Sequence, residues 1–204
     1  MTMLTYDDVY RKPEFYWGRD PNRMCAQAVE SFPAEARQGR KAIDLGCGEG
    51  RDVIHLARHG FDVVGVDISG PGLAKAERWA AEEGLRIRTV QAALQDFRLT
   101  EEFDLVYSSG TLTYLPLEAR RDAFENYKRY TRVGGINVFN VFVEKPFLGV
   151  PHDWGADEYF YRSGELLGHY WDWEILSFSE FIFDCNSGGV PHRHAMDVMI
   201  ARKV

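Results

Sequence analysis

The chain has 204 residues with 45% hydrophobic content, enough for one sizeable core and too little for two, so a single domain spanning 1–204 is expected. Thirty-one acidic against 24 basic residues leave a net charge of −7, which argues against nucleic acid as a partner, because phosphate backbones call for clustered Lys and Arg. The opening residues carry Asp7 and Asp8 and no apolar run, so neither a signal peptide nor a membrane span is expected, and the expected location is cytoplasmic.

In chain order, residues 1–40 read as a covering segment and a helix, with Phe15-Tyr16-Trp17-Gly18 ahead of that helix and Arg23 near its start. Residues 41–45 predict an apolar strand that breaks at Gly46-Cys47-Gly48-Glu49-Gly50 and enters a helix. Glycine at alternate positions supplies positive φ and lets main-chain amides approach a ligand. A second strand, 61–67, ends in Asp67, placed to accept hydrogen bonds from both hydroxyls of a ribose. Glycine turn and acid together point to an adenosine-bearing cofactor. A dinucleotide fingerprint needs its third glycine where Arg51 stands, so a nicotinamide-dependent oxidoreductase is the weaker reading.

Ser69 caps the next helix, Pro71 fits its first turn, Leu73, Ala76 and Ala80 form its inner stripe, and Gly84 ends it. Strands follow at 87–92 and 103–108. Pro116 opens a further helix carrying Phe124, Tyr127 and Tyr130, which Gly134-Gly135 should stop before a strand at 135–143. Arg120, Arg121, Lys128, Arg129 and Arg132 alternate with acids there and read as a solvated face. Beyond it come a short helix at 163–170 and two strands, 173–183 and 192–202, joined by a loop at 184–191. Strands alternating with helices from 41 to 143 predict an α/β fold with a mostly parallel sheet covered on both faces. The ligand crevice should lie beyond the carboxyl ends of its strands, which places Asp44 to Gly50, Asp67 and Ser108 on one rim.

The segment Asp44-Leu45-Gly46-Cys47-Gly48-Glu49-Gly50, with Asp67 and the strand Phe103-Asp104-Leu105-Val106-Tyr107-Ser108, resembles the class I methyltransferases that bind S-adenosylmethionine (SAM). Within that class, Gly50-Arg51-Asp52, Gly164-Glu165-Leu166, Tyr170, Trp173-Glu174 and Ala201-Arg202-Lys203 are similar to the tellurite-resistance methyltransferases. The resemblance implies a single-domain Rossmann-like fold of seven strands, the last antiparallel. It implies a SAM-binding core at 41–143 and a substrate-side insertion and closing hairpin at 144–204. SAM is the implied cofactor, S-adenosylhomocysteine the product, and a small molecule the methyl acceptor: a chalcogen oxyanion, another soft nucleophile, or an ordinary metabolite. Asp44, Gly46, Cys47, Gly48, Gly50, Asp67, Ile68, Ala93, Leu94 and Ser108 are the implied cofactor contacts, with Tyr16, Trp17 and Arg23 added from the N-terminal segment. Two departures stand out. Ala93 occupies the place of the usual adenine-binding acid, and Phe183 and Asp184 stand where the tellurite family has a His-Arg pair.

Methyl transfer from a sulfonium disperses charge, so a dry pocket that orients the nucleophile provides most of the rate, about 7–11 kcal/mol of it from orientation. Tyr16, Arg162, His192 and Arg193 are the candidate catalytic residues, and Trp154 and Tyr161 candidate walls. Three cysteines (Cys25, Cys47 and Cys185) form no C-x-x-C pair, and no carboxylate or thiolate spacing completes a metal set with His152, His192 and His194, so no metal is expected. A SAM-binding sensor or partner subunit without turnover is the alternative from another functional class. The chain is expected to be a monomer or a homodimer.

Overall fold

Short apolar runs bounded by glycine and charge make the strands, and amphipathic stretches between them make the helices, so residues 41–143 wind back and forth across one sheet. The computed structural model describes residues 5–152, 154–186 and 189–204. Its helices are α1 (Tyr6–Tyr10), α2 (Arg23–Glu30), α3 (Arg51–Arg58), α4 (Gly70–Glu82), α5 (Leu117–Arg129) and α6 (Glu165–His169). Its strands are β1 (Lys41–Leu45), β2 (Asp62–Asp67), β3 (Ile87–Gln91), β4 (Phe103–Ser108), β5 (Thr131–Val143), β6 (Glu174–Cys185) and β7 (His192–Arg202).

The seven strands run in the order β3-β2-β1-β4-β5-β7-β6, with β1 to β5 paired in parallel and β7 antiparallel to both neighbours. Order reverses between β1 and β4, the switch point where such sheets open a crevice. One sheet face packs α5 and α6 around Phe124, Tyr127, Phe139 and Tyr170, and the other packs α2 and α3 around Ala28, Leu56, Leu105 and Val138. β4 is buried along its whole length, as a central parallel strand must be.

Two expectations change. Gly134-Gly135 do not stop a helix: α5 ends at Arg129, Thr131 already belongs to β5, and the glycines sit within the strand at a register shift between Phe103 and Leu105. The Thr131 hydroxyl donates to the Tyr127 carbonyl at 2.7 Å and so closes the helix earlier than the glycines could. The basic residues of α5 are not all solvated either. Arg120 is buried, pairs with Glu165 at 2.7 Å, donates to the Phe160 carbonyl at 2.9 Å and lies 3.6 Å over the Tyr161 ring. It pins the 144–164 crossover to the sheet. Lys128 reaches the His169 carbonyl and Asp172, and Arg132 pairs with Asp104 at 2.8 Å.

Candidate functional site: a glycine turn, its acids and a latched arm

At the tip of β1 the chain turns through Gly46, Gly48 and Gly50, whose φ angles of +87°, +53° and +92° belong to the region open to glycine. The protein's own packing uses the space that the missing side chains leave. A Cβ on Gly46 would overlap Thr111, one on Gly50 would lie 2.5 Å from the Ala76 methyl, and one on Gly48 would lie 3.0 Å from the Tyr10 hydroxyl. The glycines are therefore required by the protein's own packing at this turn. The amides are also engaged: Gly46 and Cys47 donate to the Val66 carbonyl at 2.7 and 2.9 Å, Gly48 to Asp67 Oδ2 at 2.8 Å, and Gly50 to the Cys47 carbonyl at 2.9 Å. Carbonyl oxygens and the surrounding acids are what the turn presents instead.

Those acids are crowded. Asp67 at the end of β2 accepts from Gly48 on one oxygen and from the Ser69 amide, at 2.8 Å, on the other, which joins the turn to the start of α4. Burial raises its pKa against the lowering effect of those two donors. Asp44 is buried within β1, and burial, together with the neighbouring Asp52, holds its carboxyl well above the ordinary carboxylate range while Arg51 opposes the shift. Asp52 is raised by burial too, although Tyr107 donates to it at 2.9 Å and the Asn22 amide at 2.7 Å. Burial thus raises all three carboxyls, Arg51 opposes the shift at Asp44 and Asp52, and a further cation placed among them would favour their charged forms.

The other predicted cofactor contacts divide. Ile68 is 64% exposed beside Asp67, Ala93 is half-buried, and Leu94 is buried in the same apolar cluster as Val66. Ser108 spends its hydroxyl on the Leu45 carbonyl at 2.7 Å, so it holds β4 to β1. The Cys47 sulfur is buried where a Cβ on Gly65 would be, 2.8 Å away, so it packs the turn from within. Arg23 is exposed at the start of α2, and its neighbour Asn22 does the joining, capping α2 through Met24 at 2.9 Å and donating to the Ser109 hydroxyl at 3.1 Å. The rings of Tyr16 and Trp17 are about half exposed and meet edge to face at 4.8 Å.

The N-terminal arm is fastened by residues that the sequence reading passed over. Glu49, in the turn, accepts from the Tyr16 amide at 2.7 Å and from Lys75 of α4 at 2.5 Å, and Lys75 also donates to the Glu14 carbonyl at 2.6 Å. Both side chains of that ion pair are buried. Trp17 Nε1 donates to the Tyr10 hydroxyl at 3.1 Å, and burial pushes the Tyr10 phenol further above its ordinary range. The signal available in the sequence was Thr5-x-x-Asp8: the Thr5 side chain accepts from the Asp8 amide while Asp8 accepts from the Thr5 amide, a capping box that starts α1.

Toward the far side of the rim, Gly110 donates to Asn140 Oδ1 at 2.6 Å, and Asn140 reaches the Met196 sulfur at 3.2 Å. His194 is buried among the rings of Phe142, Phe183 and Trp154, whose centroids lie 4.9, 5.6 and 6.2 Å away. Trp154 stacks on Phe160 at 3.8 Å. His192 is half-buried and Arg193 exposed; Arg193 and His194 border a recess of about 140 Å³ shared with Lys145, Leu148 and Phe160. Arg162 does not join them. It is exposed at the start of α6, where its amide donates to Glu165 at 2.9 Å. Tyr161 is buried in the core rather than lining a cleft. Of the four catalytic candidates, then, only His192 and Arg193 are brought together, and Tyr16 stays with the arm.

Strand order, switch-point turn and terminal acid together define the class I methyltransferase fold. Residues 42–135 match the methyltransferase domain family. The chain is similar to TehB proteins: it is 26% identical over 171 residues to a probable S-adenosyl-L-methionine-dependent methyltransferase TehB of Haemophilus influenzae, an alignment covering 84% of this chain and 59% of the relative. The chain thus spans about three-fifths of the curated relative. The crystal structure of Haemophilus influenzae TehB superposes with a TM-score of 0.81 at 24% identity, covering 98% of this chain and 67% of that one. Magnesium protoporphyrin IX methyltransferase of Synechocystis, solved with SAM bound, superposes with a TM-score of 0.64 at 18% identity over 88% of this chain and 76% of that one. No helix among the described residues is long and apolar enough to cross a membrane.

Proposed function

We propose that the protein transfers a methyl group from SAM to a small soft nucleophile, a chalcogen oxyanion or thiol being the favoured class. The observation that carries this reading is the acid cluster at the glycine turn. Asp44, Asp52 and Asp67 gather at the turn with burial raising the pKa of each, and a ligand carrying a sulfonium and an ammonium would favour their charged forms. The residues fit the cofactor in a second way: Asp67 ends β2 facing the turn, and Ile68 beside it leaves an apolar face exposed for a base. SAM, when bound, supplies an electrophilic methyl carbon.

The chain's own work is then to hold, orient and keep dry. Asp67 and the carbonyls of the turn would hold the nucleoside and the amino-acid tail, and Tyr10 with Trp17 would shut out water above Gly48. Orienting a nucleophile on the sulfur–methyl axis is worth about 7–11 kcal/mol without any acid or base. Arg193 at the recess favours an anionic acceptor. Calorimetry with SAM and S-adenosylhomocysteine, followed by S-adenosylhomocysteine release over a panel of selenite, tellurite, thiols and halides, tests the reading. Binding with turnover on at least one acceptor is expected. Binding without turnover on any of them returns the chain to a sensor or partner subunit, and failure to bind either nucleoside ends the proposal.

A further inference from the structure

We infer that the free end of the β6–β7 hairpin is a metal site, formed by Cys185, His192 and His194, for a borderline-soft divalent cation of the zinc class. The three residues are distant from any standard spacing in the sequence, and the fold assembles them. β6 runs two residues further than its apolar pattern predicts, to Cys185, which puts that residue directly opposite His192 in the antiparallel register. Residues 192 and 194 alternate onto the same face. One ligand atom from each of the three, the Cys185 sulfur and one nitrogen from each imidazole, lies within 4.8 Å of the others.

The chemistry of the donors agrees with the geometry. His192 Nδ1 lies 2.8 Å from the Val190 carbonyl, and a carbonyl only accepts, so Nδ1 carries the proton and Nε2 keeps its lone pair. A hydrogen bond from the remote ring nitrogen to a carbonyl is the usual support of a metal-bound imidazole. That Nε2 sits 2.8 Å from His194 Nε2. With metal–nitrogen bonds of about 2.0–2.1 Å and a metal–sulfur bond of about 2.3 Å, tetrahedral ligands stand roughly 3.3–3.7 Å apart, so small rotations of the half-buried His192 and Cys185 suffice. Buried His194, packed between Phe142, Phe183 and Trp154, would be the fixed post of the set. A thiolate with two imidazoles selects zinc-like ions over magnesium or calcium. The 2.8 Å contact between the two Nε2 atoms places a proton on His194 Nε2, so binding releases the Cys185 proton, shifts the His194 proton to Nδ1 and leaves a fourth position for water or a solute ligand, and the hairpin end lies on the same rim as the glycine turn.

The test uses the full chain, stripped with chelator and titrated with Co2+ alone. One equivalent should bind and give a sulfur-to-cobalt charge-transfer band together with tetrahedral visible bands, and Zn2+ should displace it. Cys185→Ser should abolish the charge-transfer band, His192→Ala should weaken Co2+ binding by about tenfold or more, and Cys25→Ser should leave the band in place. Absence of the band from the wild-type chain, or its survival in Cys185→Ser, would overturn the assignment. Should Cys185→Ser misfold, alkylation of the wild-type chain decides in its stead. Protection of Cys185 by Co2+ upholds the site and equal labelling with and without metal refutes it.

Discussion

The tip of β1 and the free end of the β6–β7 hairpin occupy the same rim of one sheet, yet they are built by opposite means. At β1 the needed residues are close in sequence, and the strand beneath them is buried from Ala42 to Leu45. At the hairpin, β6 is an edge strand with mostly exposed or half-exposed positions, and its chemistry comes from residues that only antiparallel pairing brings together. A site fixed by a short turn can be read along the chain, whereas one fixed by register is hidden until the register is known.

The sharpest way to break the contrast is at Gly46. Gly46→Ala puts a methyl into the space of Thr111 at a φ of +87°, so a left-handed penalty of roughly 1–2 kcal/mol adds to an overpacking cost of about 1–3 kcal/mol. Denaturant unfolding should show that combined loss, and a midpoint equal to wild type would mean the turn is far less rigid than its packing implies. Asp67→Asn is the next largest effect. Losing charge-assisted hydrogen bonds worth about 1.5–3 kcal/mol should weaken SAM binding by roughly 10–100-fold in calorimetry with the circular dichroism spectrum intact. Unchanged affinity would remove the acid from the cofactor's contacts.

On the hairpin side, Arg193→Ala should lower kcat/KM for an anionic acceptor by about tenfold while the SAM dissociation constant holds, because an exposed charge at the recess steers and orients without touching the turn. A fall in SAM affinity instead would show the two regions to be one. The smallest effect is electrostatic. Asp44 has its pKa raised on folding, so its contribution to stability is complete below the ordinary carboxylate value near 4 and is lost as pH rises through the raised value. Thermal midpoints of the ligand-free protein should therefore decline over that window, and Asp44→Asn should flatten the decline. Parallel profiles for the two proteins would refute the raising of the Asp44 carboxyl by burial.

Much of the architecture was legible because its signals are local. Ser69 caps α4 through the Gly72 amide at 3.2 Å, Leu73, Ala76 and Ala80 are buried as their spacing predicts, and the α/β alternation from 41 to 143 gives the parallel sheet. Asp67 stands at the end of β2 as its strand predicts, and its partners are main-chain amides of its own chain. The features that stayed hidden share one cause. Thr111, Tyr10 and Ala76 occupy the glycines' missing side-chain space, Arg120 is buried and Ser108 is committed to Leu45, and each of these facts depends on which distant segment comes to rest there. Gly134-Gly135 misled for a related reason, since a hydroxyl four residues from Tyr127 closed the helix before the glycines were reached. Cys185 is the same lesson at a functional position.

Glu49 sits in the turn and Lys75 in α4, and the pair they form also secures the main chain of Glu14 and Tyr16. Separating two charges from which water is excluded costs about 3–5 kcal/mol when one partner is left behind. The arm is consequently tied to the turn through one carboxylate, so Glu49→Gln would loosen residues 14–17 and the turn together rather than either alone.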